Sequence, residues 1–290
     1  MLSKVRVFFN LIKFEHTVFA LPFAYLGMLL APAYRQAGTS PWLRWTIFFW
    51  VTAAMASART AGMLLNRLID LKIDAQNPRT KDRPIITGEF SPKAAIVSTA
   101  AALAIFFLSA LMLNPLCLKL SFVAIFLLST YHYVKRFSFL CHFTLGLVLA
   151  IAPMGGWIAV TGSFSWIPVP LALSVLFWVA GFDIIYSLQD IDFDKSHGLH
   201  SIPVKFGQRS ALKISAYCHV ATALFLALFA FAGHLGIIYG IGVLFCGILL
   251  KLEHMLLSEE DLSRIKTSFF MINGWIGILL FVFTFLDILR

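Results

Sequence analysis

The chain is 290 residues long, 60% hydrophobic and only 13% charged, with a mean hydropathy of +0.86. That composition excludes a soluble globular domain and places most of the length in lipid. The formal net charge of +9 invites a nucleic-acid reading, which the placement of the basic residues excludes.

Long apolar runs separated by short polar connections indicate an all-α polytopic bundle. A barrel would instead show alternation over ~10-residue strands. Nine spans are predicted, at roughly 16–34, 43–64, 94–113, 116–134, 138–161, 165–187, 211–232, 235–252 and 268–288, within a single domain covering residues 1–290. Of the 23 Lys and Arg residues, all but Arg35, Arg44, Arg59, Lys119 and Arg290 then fall at the N-terminus or at the connections on its side. The positive-inside rule makes that side cytoplasmic and puts the C-terminus outside, with a bacterial inner membrane as the expected location. Topology and an anionic ligand at the cytoplasmic face account for the basic surplus without nucleic acid. No obligate protein partner is implied.

Lys4 and Arg6 precede an apolar stretch ending near Ala31-Pro32-Ala33, as in a secretory signal. Lys13, Glu15 and His16 interrupt it, however, and the run from Thr17 is long enough to span, so a retained first helix is expected. The cysteines Cys117, Cys141, Cys218 and Cys246 lie far apart, with no CxxC or His pairing, and read as small core residues rather than disulfides or a metal site.

The second span ends in NRLIDLKIDAQNPRTKDRPIITG, from Asn66 to Gly88. If the helix continues through it, Asn66, Asp70 and Asp74 share one face, a turn apart. Like-charged carboxylates at that spacing need compensation. Arg67, Lys72, Arg79, Lys81 and Arg83 supply it either as a solvated salt-bridged face or beside a divalent cation. A hard cation such as Mg²⁺ takes one or two carboxylates and completes its shell with phosphate oxygens and water. The Arg and Lys residues would then grip the remaining phosphate charge. Arg59, on the same helix within the membrane, must face a cavity or a counter-charge.

The sixth span ends in FDIIYSLQDIDFDKSHGLHSIPVKFG, from Phe182 to Gly207, and repeats the pattern. Asp183, Tyr186 and Asp190 fall on one face, and Asp190 and Asp194 pair a turn later. Asp183 lies about two turns inside its span, where an ionised carboxylate costs roughly 2.5–3.5 kcal/mol at the helix centre and so normally faces a cavity or a partner. With Glu89 just beyond Gly88, eight of the 14 acidic residues lie in or beside these two stretches, which suggests two related halves feeding one shared site. His132, His142, His219 and His234 show no ligand spacing and read as packing or interface residues, and the 29 Phe residues mostly as lipid-facing surface and core.

NRLIDLKID followed by NPRTKDRP resembles the NxxxDxxxD and Arg-Pro motifs of the UbiA-type membrane prenyltransferases. FDIIYSLQDIDFD with GLHSIP resembles the second, DxxxD motif of that superfamily, and TYHYVKR (Thr130 to Arg136) its Tyr-Lys-Arg segment. Order, spacing and span count agree over nearly the whole chain. The resemblance implies nine helices around a central cavity open sideways to lipid, with motif carboxylates holding two Mg²⁺ ions against a prenyl diphosphate. One departure is Arg67, where many members carry Asp, which removes that position from metal binding and leaves it to phosphate or to solvent. Within the superfamily the chain is most similar to the 4-hydroxybenzoate polyprenyltransferase group. GFDIIYSLQDIDFD and GLHSIP resemble members of the futalosine route to menaquinone, which are expected to prenylate 1,4-dihydroxy-6-naphthoate.

The expected chemistry is electrophilic prenylation of a small aromatic acid by a polyprenyl diphosphate. Asp70, Asp74, Asp190 and Asp194 are the expected Mg²⁺ ligands, Arg79, Arg83, Lys135 and Arg136 the expected partners of the diphosphate, and Asn66 and Arg67 further expected substrate-binding residues. Tyr131, Tyr133 and Tyr186 are the aromatics nearest the allylic cation, Asp183 is the candidate base, and Arg59 is among the spare cations for an acceptor carboxylate. The alternatives are other superfamily acceptors (haem, chlorophyllide, homogentisate) and, from another class, a secondary transporter. Acids confined to one side of the membrane fit a transporter poorly.

Overall fold

The computed structural model describes residues 2–13, 15–35, 40–257, 265 and 272–290. Its helices are α1 (Leu2–Ile12), α2 (Glu15–Leu30), α3 (Pro32–Arg35), α4 (Pro41–Ile69), α5 (Leu71–Asp74), α6 (Pro92–Leu113), α7 (Pro115–Val134), α8 (Cys141–Thr161) and α9 (Val169–Ser187). A 3-10 turn at Leu188–Asp190 leads into α10 (Ile191–Ser196), α11 (Ile202–Phe206), α12 (Gln208–Ala232), α13 (Ile237–Met255) and α14 (Asn273–Leu289).

Among the described residues, seven helices are long and apolar enough to cross a membrane, and α2 and α14 contribute shorter apolar stretches, Ala20–Leu30 and Asn273–Leu289. Seven of the nine predicted spans thus have a helix of spanning length among the described residues, and the first and ninth coincide with the two shorter ones. The start of the ninth predicted span, 268–271, lies outside the described residues, as do Phe14 and the side chains of 15–19, including the Glu15 and His16 invoked for a retained first helix.

Local chemistry sets several helix starts. Ser40, Ser91 and Asn114 each precede a proline and accept a backbone N–H three residues on, from Leu43, Ala94 and Cys117 at 3.1, 3.1 and 2.9 Å. The proline fixes φ at a position whose N–H has no helical partner. Asn114 also donates to the Ile158 carbonyl at 2.8 Å, which ties the start of α7 to α8. At the start of α13 the cap comes from another helix: Asp287 of α14 accepts N–H groups from Gly236, Ile238 and Tyr239 at 2.6, 3.1 and 3.3 Å.

The apolar helices pack against their sequence neighbours, and α14 returns to α2, so the bundle closes on itself. Across its middle, α2 lies on α8. A Cβ at Gly156 would overlap the Ala24 carbonyl, and one at Gly27 the Pro153 carbonyl, so only glycine permits this approach of two backbones. One side of this wall is filled by Phe23, Trp157, Trp178, Phe229, Tyr239 and their neighbours. The other side encloses a cavity of about 540 Å³ between α2, α4, α6, α7, α8 and α9. Leu120, Val123 and Leu147 line it while remaining 41%, 53% and 44% exposed, so it reaches the lipid-facing flank between α7 and α8.

Candidate active site

The two acidic clusters follow α4 and α9 and meet at one end of the bundle. Helix α4 does not run on unbroken: Asp70 leaves helical geometry at φ −95°, ψ 7°, and α5 resumes for one turn. The ladder survives the break, since Asp70 N–H donates to Asn66 at 3.0 Å and Asp74 N–H to Asp70 at 2.8 Å. Asn66, Asp70 and Asp74 therefore keep their predicted turn spacing. In the second cluster the 3-10 turn places Asp190 between α9 and α10, with Asp194 one turn on in α10.

Three of the four predicted metal-binding carboxylates carry a basic partner. Asp70, 2% exposed, accepts from Lys135 Nζ at 2.6 Å, from Asn66 Nδ2 at 3.2 Å and from Arg136 Nη2 at 3.4 Å. Asp74 pairs with Arg83 and also accepts from Thr80 Oγ1 at 3.3 Å. Asp190 receives both ends of the Arg79 fork, at 2.9 and 2.5 Å, and the Asn77 amide at 3.0 Å. Asp194 is half-buried beside Asp190, within electrostatic reach of Lys135, Arg79 and His142. Arg79 also donates to the Tyr186 hydroxyl at 3.1 Å and lies over its ring. Burial pulls the Arg79 guanidinium down, but hydrogen bonding and attraction to Asp190 outweigh it and leave its pKa raised. Arg83 is lowered, because burial and the neighbouring Arg79 outweigh the pull of Asp74.

Arg59 and Tyr131 line the cavity just below this layer, on the helices that carry Asp70 and Lys135. The Tyr131 phenol shares an electrostatic neighbourhood with Arg59, Asp183, Arg67 and Asp70. A layer of charge thus stands directly on an apolar chamber.

Several expectations need correction. Arg67 does not face solvent: at 6% exposed it donates to Asn66 Oδ1 at 2.9 Å and to the Leu11 carbonyl at 3.5 Å, bracing α4 against α1. Tyr133 is 44% exposed beneath Arg136, off the cavity wall. His132 and His142 are not mere packing residues. His132 Nδ1 lies 3.2 Å from the Asn66 amide, and His142 Nδ1 lies 2.7 Å from Asp183 Oδ2. Asn77 was missed, although it stands inside the first motif and its spacing from Arg79 suits a side-chain turn. Asn77 Oδ1 accepts the Arg79 N–H at 2.8 Å and so fixes the loop that carries the fork.

The donor set suits a hard cation. Among the described residues no three His, Cys, Asp or Glu side chains are grouped so as to hold a metal ion by themselves. Paired carboxylates with open coordination are what Mg²⁺ uses when phosphate oxygens complete its shell.

A profile of the UbiA prenyltransferase family matches residues 20–275. The chain belongs to that family. It is 29% identical to a 4-hydroxybenzoate octaprenyltransferase of Shewanella woodyi, over 97% of this chain and 96% of that protein. An apo structure of a UbiA homolog from Aeropyrum pernix K1 superposes with a TM-score of 0.83 at 36% identity, covering 94% of this chain and 98% of the other. A UbiA homolog from Archaeoglobus fulgidus bound to GPP and Mg²⁺ shares the fold, with a TM-score of 0.71 at 19% identity over 98% and 100% of the two chains. The enzyme is a membrane prenyltransferase, and the transporter reading is set aside.

Proposed function

We propose that this UbiA family member transfers a polyprenyl chain from its diphosphate to the ring of an aromatic hydroxy acid that serves as a quinone precursor. The observation that carries the reading is the stacking of two chemistries: paired carboxylates and bases at one end of the bundle, and directly beneath them an apolar chamber holding Arg59 and Tyr131. The names of similar proteins support it, since the Shewanella woodyi relative is a 4-hydroxybenzoate octaprenyltransferase and the Archaeoglobus fulgidus homolog was crystallised with GPP and Mg²⁺.

In this reading Asp70, Asp74, Asp190 and Asp194 hold Mg²⁺, which when bound neutralises the diphosphate as the allylic C–O bond breaks. Arg79, Arg83, Lys135 and Arg136 exchange their carboxylate partners for phosphate oxygens and add charge-assisted hydrogen bonds to the leaving group. The chamber holds the prenyl tail away from water, and Tyr131 and Tyr186 present aromatic faces near the reacting carbon. Arg59 reads the acceptor carboxylate through its planar fork, the acceptor hydroxyl enriches the attacked ring carbon, and Asp183 takes the ring proton. The acidic end faces the cytoplasm, in line with the Lys and Arg asymmetry.

Both 4-hydroxybenzoate and 1,4-dihydroxy-6-naphthoate have the required hydroxyl and carboxylate. Membranes containing the enzyme are given labelled polyprenyl diphosphate with each acid in turn and with decarboxylated analogues. Label should enter one or both acids. Equal labelling of the acid-free analogues would remove the carboxylate from the reading, and no labelling of any aromatic acceptor would overturn it.

A further inference from the structure

Deep in the site lies a pair that joins three separate segments. His142, on α8 and 2% exposed, places Nδ1 2.7 Å from Oδ2 of Asp183 on α9. Its other nitrogen, Nε2, accepts the backbone N–H of Ile202, at the start of α11, at 3.3 Å. An amide N–H can only donate, so Nε2 must present its lone pair. The ring proton is then on Nδ1, and it points at the carboxylate. The tautomer is set from behind by Ile202, as outer-shell partners set the tautomers of functional histidines elsewhere.

Ile202 is itself held in place. Ser201 caps α11 by accepting the Val204 N–H at 3.3 Å, and the His200 N–H donates to the Lys135 carbonyl at 2.7 Å. The segment that orients His142 is thus anchored to the residue that pairs with Asp70. Asp183 keeps 27% of its side chain exposed, one turn before Tyr186 and within electrostatic reach of Tyr131. It thus stays partly open and near Tyr131, a residue of the chamber wall.

From this geometry we infer that His142 is a positioning residue: it aims and holds the Asp183 carboxylate for removal of the ring proton. This rests on the aromatic-acceptor reading above. In the step concerned, a ring carbon forms a bond to the allylic carbon of the prenyl group while the allylic C–O bond breaks and its electron pair leaves with the diphosphate. The proton on the attacked ring carbon then passes to Asp183, and the ring recovers its aromaticity. His142 neither gains nor loses a proton. It holds one carboxylate oxygen so that the other meets the acceptor.

The test compares His142→Leu, His142→Gln and Asp183→Asn, purified in detergent with the wild type and checked for matching thermal melting. Glutamine preserves one donor and one acceptor at the two ends of its amide, so it can bridge Ile202 and Asp183 as the imidazole does. His142→Leu should lower kcat at least ~10-fold with the KM for prenyl diphosphate unchanged, and Asp183→Asn should lower kcat ~10²-fold or more. His142→Gln should recover at least ~3-fold over His142→Leu. A folded His142→Leu enzyme at wild-type kcat, a His142→Gln enzyme as impaired as His142→Leu, or full activity in Asp183→Asn would each overturn the assignment while leaving prenyl transfer intact. A wild type that prenylates no aromatic acid would instead bring down the reading beneath it.

Discussion

Arg79 grips Asp190 through two nitrogens, Nε at 2.9 Å and Nη2 at 2.5 Å, although the two residues stand on different motifs in different halves of the chain. A planar fork on a carboxylate fixes distance and orientation together, which a single ammonium cannot do. Arg79→Lys keeps the charge and loses the fork. Turnover should fall ~10-fold or more even at saturating prenyl diphosphate, since a lysine cannot give the leaving phosphate the same two-point contact. Wild-type turnover in the lysine variant would show that charge alone suffices.

Metal dependence is expected from the carboxylates. Asp70→Ala and Asp190→Ala should each reduce turnover at least ~10²-fold, the scale of losing one key electrostatic element. Activity should vanish in chelator and return with Mg²⁺. Full activity in chelator would dismiss the metal ligands proposed here.

Arg83 and Lys135 pair with Asp74 and Asp70 and are assigned to the diphosphate. Substituting either by alanine should raise the apparent KM for prenyl diphosphate while leaving that for the aromatic acid within about twofold. The opposite pattern in kinetic titrations would move them to the acceptor pocket.

Arg59 lines the chamber rather than the charged layer, and it is assigned to the acceptor carboxylate. Arg59→Leu should weaken use of the aromatic acid ~10-fold or more and narrow its advantage over the decarboxylated analogue. If the acid kept its full advantage, another group would have to read the carboxylate.

Orientation can be measured directly. Single cysteines introduced into 67–93 and 192–210 should react with a membrane-impermeant reagent only from the cytoplasmic side, and one at 290 only from outside. Labelling of position 290 from the cytoplasm would reverse the reading of the Lys and Arg asymmetry.

The fold class and the two acidic motifs were legible because lipid demands long apolar runs, and because carboxylates at i, i+4 beside a membrane are costly unless used. Asp70, Asp74, Asp190 and Asp194 could therefore be singled out by spacing alone. His132 and His142 could not, since their partners Asn66 and Asp183 lie on other helices and a lone histidine carries no periodic signal. The Arg67 contact is hidden for a related reason: its side chain reaches the Leu11 carbonyl of α1, a contact no local pattern encodes. The Asp287 cap on α13 is of the same kind, joining helices through three backbone N–H groups from a position that reads only as a polar end.

The pairing of Asp70, Asp74 and Asp190 with Lys135, Arg83 and Arg79 has a consequence for the resting enzyme. Bare carboxylates above an apolar chamber would draw water down into it. Acids that already have bases form a nearly neutral plug, and the chamber below can stay dry. An anion that enters must take bases away from acids, which leaves those acids wanting a cation. A guest of one sign therefore strands charge at the mouth, whereas a guest that brings both signs exchanges every partner at once. In the proposed reaction, a diphosphate arriving with its metal is a guest of that second kind.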